Sequence, residues 1–114
     1  MNKIFLPVDG SAHSRQAIAQ ASALARLSGG EVRVFHLQER EPSKAGTASF
    51  ETTADATSLV DDAVSQLQDD GVKASGETRA GLSGETAKAI VDEASRFGAD
   101  LIIMGSRGLS LIHI

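Results

Sequence analysis

Short, continuous apolar runs alternate along the chain with longer stretches whose apolar residues recur every three or four positions. The runs are Lys3–Val8, Glu31–Leu37, the more polar Val72–Arg79, and Asp100–Met104. Runs of this kind read as strands buried on both faces, the habit of parallel sheets. Pro7 stands near the end of the first, where a missing ladder donor costs least. Three helical patterns lie between the runs. Ser14–Ser28 carries Ala17, Ile18, Ala21, Leu24 and Ala25 on one stripe, turns Arg15 and Gln16 outward, and meets a left-handed cap at Gly29. Leu59, Val60, Ala63, Val64 and Leu67 form a second stripe that ends at Gly71. Ala87, Ile90, Val91, Ala94 and Phe97 form the third, closed by Gly98. Ser83 is its expected N-cap, with Glu85 in the first turn where a carboxylate suits the helix dipole. The polar stretch from Gln38 to about Ala54 reads as a solvated loop. Strands alternating with helices predict an α/β fold: a doubly wound parallel sheet with right-handed crossovers, its polar third strand at an edge.

Composition narrows the function classes. The chain has 114 residues, 41% hydrophobic and 23% charged, which suits one domain around one core. A net charge of −4 offers no basic field to phosphate backbones, so no nucleic-acid partner is expected. No apolar run is long enough for a membrane span. The first run, broken by Pro7 and Asp9, is too short for the core of a signal peptide. The expected location is therefore the cytoplasm. With 0 cysteines, a disulfide framework and a thiolate metal site are out of reach. His13 and His113 have no partners at metal-ligand spacing and read as surface residues.

Ligands of open doubly wound sheets bind beyond the carboxyl ends of the strands, where the strand order reverses. Two strand ends carry candidate chemistry. The first is Val8-Asp9-Gly10-Ser11. Asp9 can accept from a ribose hydroxyl or a base amine, or it can cap the helix that follows. Ser11 and Ser14 read as caps. The second is Met104-Gly105-Ser106-Arg107-Gly108. Two glycines three apart let the backbone bend and approach a ligand, successive N–H groups form an anion nest, and Arg107 suits phosphate oxygens. The other reading is an ordinary glycine turn. His36 ends the second strand and either lines the same crevice or is structural. No Gly-x-Gly-x-x-Gly follows the first strand and no Walker A sequence is present, so the dinucleotide and P-loop fingerprints fail. Nothing in the order of residues suggests a hydrolytic triad or a carboxylate pair.

Val8-Asp9-Gly10-Ser11 together with Asp100-Leu101-Ile102-Ile103-Met104-Gly105-Ser106-Arg107-Gly108 resembles the universal stress protein family, over Lys3 to about Leu109. The resemblance implies an adenine nucleotide alpha hydrolase-like fold with strand order 3-2-1-4. It also implies a regulatory ligand, ATP or a related adenine nucleotide, with Mg2+ as its companion. Pro7 and Asp9 would line the adenosine end, Leu37 would pack on adenine, and Met104, Gly105, Ser106, Arg107 and Gly108 would hold ribose and phosphates. Gly105 and Gly108 match the first half of the motif shared by the family's ATP-binding members; its second half would lie past Ile114. The expectation is thus a C-terminally truncated domain, residues 1–109, with an atypical tail at 110–114. The family's fifth strand, which helps form a homodimer, would be missing, leaving the last strand a bare apolar edge with one face uncovered. A stress-response regulator acting on an unknown protein is the leading expectation. A stress protein that binds no nucleotide and works through protein contacts is the alternative. A slow ATPase ranks last because no general base stands out.

Overall fold

The apolar runs become the middle of one sheet. A computed structural model describes residues 3–43, 46–48, 51–105 and 109–113. The elements are β1 (Lys3–Pro7), α1 (Ala12–Ser28), β2 (Glu31–Ser43), β3 (Gly46–Ala48), α2 (Thr53–Asp69), β4 (Lys73–Leu82), α3 (Thr86–Phe97), β5 (Leu101–Gly105) and β6 (Leu109–His113). Strands β4, β2, β1 and β5 are parallel neighbours in that order, and β6 closes the row antiparallel to β5. Alternate residues of the central strands face opposite layers. Ile4, Leu6, Val32, Val34, Leu101 and Ile103 pack under α1 and α2. Phe5, Phe35, Leu37 and Ile102 pack under Ala89, Ile90 and Ala94 of α3.

Local signals set the helix ends. The Ser11 hydroxyl accepts from Ser14 N at 3.1 Å, and Gly29 closes α1 in the left-handed region at φ 70°, a conformation glycine adopts without a Cβ penalty. At α2, Thr52 and Asp55 form a reciprocal capping box, which satisfies two orphan donors at once. Helix α3 begins at Thr86 behind Glu85, and no side chain caps it.

Several expectations are corrected. Gln38 to Ser43, the first part of the expected loop, is strand instead: β2 runs on to Ser43, pairs with β4 as far as Arg40↔Leu82, and is met antiparallel by β3. Backbone pairing needs no apolar side chains, so polarity concealed it. The fifth strand is present as β6, which starts at Leu109 and runs into the stretch expected to be a tail, and it covers the edge of β5 from Leu101↔His113 to Gly105↔Leu109. Neither face of β5 is bare, since Leu101, Ile102 and Ile103 are all buried. Helix α1 starts at Ala12, which makes Ser11 the cap and places Ser14 within the helix. Ser83 caps nothing; its N–H donates to Arg40 O at 2.8 Å.

The buried stripe of α3 also differs. Ala87 and Val91 are exposed, while Ala89, Ile90, Glu93 and Ala94 are buried. The helix turns Glu93 toward the outer part of the sheet, where Arg79 lies 3.3 Å and Arg96 3.5 Å from its carboxylate. A buried carboxylate is tolerable only with such partners. Glu77 on β4 joins the group. Burial, then a hydrogen bond and repulsion from Glu93, hold its carboxyl above the usual glutamate range, outweighing the pull of Arg33 and Arg96. A raised folded pKa contributes stability below the unfolded pKa, and that contribution is lost as pH rises through the folded value. Glu77→Gln is expected to raise the melting temperature at neutral pH. The gain should shrink as pH falls into the ordinary glutamate range. Thermal melts of both proteins across that window check the sign.

Candidate functional site

Three strands deliver their carboxyl ends to one place. β1 hydrogen-bonds β2 on one side and β5 on the other, so the strand order reverses at β1, the position where open sheets leave a crevice. A cavity of about 470 Å3 lies there, within the roughly 300–1,000 Å3 of small-molecule sites. Pro7, Val8 and Asp9 come from the end of β1, Phe35, His36, Leu37 and Glu39 from β2, and Met104 and Gly105 from β5; Glu51, just before α2, and Thr86 and Ile90 of α3 complete the lining. Its apolar walls are Phe35, Leu37, Ile90 and Met104. The polar groups are mostly acceptors.

Hydrogen bonds fix the polar part. Asp9 is exposed, and its Oδ1 accepts from Ser11 N at 2.9 Å; Asp9 N donates to the Ser14 hydroxyl at 3.1 Å. The Ser11 hydroxyl donates to Gly105 O at 3.3 Å, which ties the ends of β1 and β5 together. Asp9 therefore braces the turn before α1 while Ser11 caps the helix. Its second oxygen, Oδ2, has no partner among the described residues. His36 is buried. Its Nδ1 lies 2.7 Å from Val8 O and its Nε2 2.7 Å from Glu51 Oε1. A carbonyl only accepts, so Nδ1 carries a hydrogen. Gln38 donates to Glu51 O at 2.9 Å, so two side chains of β2 anchor Glu51 at the cavity wall. On the opposite side, Thr86 Oγ1 donates to Glu39 Oε1.

Of the residues singled out from sequence, Pro7, Asp9, Leu37, Met104 and Gly105 meet in this cavity. Ser106, Arg107 and Gly108 lie outside the described residues. His36 lines the same crevice. His13 is exposed. Gly105 has a different neighbour from the one expected: a Cβ there would stand 2.0 Å from His13 O and 3.2 Å from Ser14 N. Its lack of a side chain lets the start of α1 close onto β5. Sequence reasoning missed Phe35, Glu39, Glu51, Thr86 and Ile90. Phe35 and Glu39 share the face of Leu37 by the strand period of two, and Thr86 stands one helical turn before Ile90. Glu51 gave no signal, being one polar residue in a polar stretch. Among the described residues no cluster of three or more His, Asp or Glu is placed to hold a metal, and no helix is long and apolar enough to cross a membrane.

Comparison with known proteins agrees with this architecture. A family profile described as "Universal stress protein family" matches residues 1–113. A Thermus aquaticus protein named "Universal stress protein in QAH/OAS sulfhydrylase 3'region" is 33% identical over 112 residues, covering 96% of this chain and 80% of that protein. The solved universal stress protein of Archaeoglobus fulgidus superposes with a TM-score of 0.73 at 25% identity, over 94% of this chain and 77% of that one. A universal stress protein from the same organism, solved in complex with dAMP, gives 0.71 at 25% identity, over 91% and 79%.

Proposed function

The chain belongs to the universal stress protein family, and from that premise we propose that its cavity binds the adenosine part of an adenine nucleotide, ATP or a related one, as a regulatory ligand. The observation that carries this reading is the convergence of Pro7, Asp9, Leu37, Met104 and Gly105 on one cavity of about 470 Å3. Its apolar walls suit a flat base, and the dAMP complex of a structural relative supports an adenine ligand. Leu37 and Met104 bracket the base. Asp9 accepts from a ribose hydroxyl through Oδ2. Ser106, Arg107 and Gly108 serve the phosphates, with Mg2+ beside them where the ligand is ATP. The ligand acts as a switch rather than a substrate. The wider role is that of a homodimeric, cytoplasmic stress-response regulator whose ligand state alters its grip on another protein.

Calorimetric titration with adenine nucleotides tests the reading. Asp9→Ala is expected to weaken binding by about 1–3 kcal/mol, the cost of losing a hydrogen bond to a charged group. Melting temperature is measured beside it, because the same change removes the bond to Ser11 N. Unchanged affinity with lowered stability would leave Asp9 as a turn residue only. No binding of any adenine nucleotide would favour a stress protein that works through protein contacts alone.

A further inference from the structure

The ladder between β1 and β2 stops at a side chain. Its register ends at Pro7↔Phe35, and Val8 N adds a last bond to Phe35 O at 2.8 Å. In a parallel ladder the next bond would run from Leu37 N–H to Val8 O. That acceptor is taken instead by His36 Nδ1 at 2.7 Å, which carries the hydrogen because a carbonyl only accepts. His36 is buried, and its Nε2 lies 2.7 Å from Glu51 Oε1, a contact that holds the ring in this orientation. Resting on the adenine reading above, we infer that His36 is a positioning residue: by occupying Val8 O it ends the β1–β2 ladder and leaves the main chain of Leu37 to the ligand's base.

Strand alternation fixes which way that main chain points. On one side of β2, Arg40 O accepts from Ser83 N just past β4; on the other, Phe35 O accepts from Val8 N. Successive residues of a strand turn their N–H and C=O to opposite neighbours, so Leu37 and Glu39 share the direction of Phe35. β1 has ended by this point, and among the described residues no main-chain bond joins Leu37 to it. Leu37 and Glu39 both line the cavity. Leu37 thus offers a donor and an acceptor side by side at the wall where a flat base would lie. The ligand class that fits is a planar ring with an acceptor beside a donor on one edge. Buried main-chain groups need partners; the His36 bond keeps β1 from being that partner and reserves the position for water or ligand.

Hydrogen exchange of the Leu37 amide, measured by NMR on the full chain, reads the ladder stop without any ligand. It is expected to exchange about 100-fold faster than the Phe35 amide, and to slow when AMP binds. His36→Asn keeps a donor near the place of Nδ1; His36→Val removes it and frees Val8 O for Leu37 N–H. Both variants lose the contact to Glu51, so the difference between them isolates the bond to Val8. Leu37 should stay fast in His36→Asn and become protected in His36→Val. In calorimetric titration AMP should bind His36→Val about 10-fold more weakly than His36→Asn. Equal AMP affinity for the two folded variants would overturn the inference. So would a Leu37 amide already protected in the ligand-free parent, a result that decides the matter even where His36→Val does not fold. Failure of AMP and ATP to bind the parent would overturn the adenine reading, while a fast Leu37 amide would still support the ladder stop.

Discussion

Gly105→Ala is expected to lower stability by about 3 kcal/mol or more, a fall of roughly 10–20 °C in melting temperature for a domain of this size. A Cβ at this position would lie 2.0 Å from His13 O and 2.6 Å from His13 C. Both are backbone atoms at the start of α1, so no side-chain rotamer relieves the contact. Relief requires the helix to lift away from β5. That movement would strain the Ser11 hydroxyl's bond to Gly105 O and open the apolar layer that contains Leu101 and Ile103. The ends of β1 and β5 would then separate at the cavity itself, so ligand affinity should fall along with stability. Thermal and urea unfolding of the variant check this. A protein that melts within a degree or two of the parent would mean that α1 does not close on β5 as described.

Phe35→Ala should be comparably severe, costing about 3–5 kcal/mol, the usual range for deleting a buried aromatic ring. Phe35 is 1% exposed and its ring centroid lies 5.5 Å from that of Phe5. The same ring forms part of the cavity wall. Truncation removes the aromatic pair and leaves a void next to a space that is already open, so the surrounding layer of α3 has little reason to collapse inward. The urea midpoint should drop with little change in slope. A loss below about 1 kcal/mol would show that the layer under α3 is not a packed core.

How far the sequence revealed this depends on which physical signal each part carries. The central strands and the faces they bury follow from apolar runs, and Gly29 and Gly98 mark helix ends by their backbone freedom. Strand β4 was legible as a polar edge. The extension of β2 beyond Leu37 was not, because its stability comes from backbone pairing with β4 and β3 rather than from an apolar pattern. Strand β6 was hidden for a related reason: a segment expected to be a tail pairs antiparallel along all five residues of β5. On α3 the stripe was misplaced because Glu93 is buried through Arg79 and Arg96, and buried ion pairs do not register as hydrophobic periodicity. In the cavity, strand ends carrying an Asp or a glycine turn were readable. The acidic lining was not, since Glu39 and Glu51 join Asp9 around the cavity only because β2 pairs with β1 and because His36 and Gln38 of β2 hold Glu51.

The most direct test of the account is a two-dimensional amide NMR titration of the intact chain with AMP. Saturable shifts are predicted for Val8 and Asp9, for Phe35 through Glu39, for Glu51, for Thr86 through Ile90, and for Met104 and Gly105, with the outer half of α2 undisturbed. Shifts centred elsewhere, or none at millimolar AMP, would contradict an adenine site at the carboxyl ends of β1, β2 and β5.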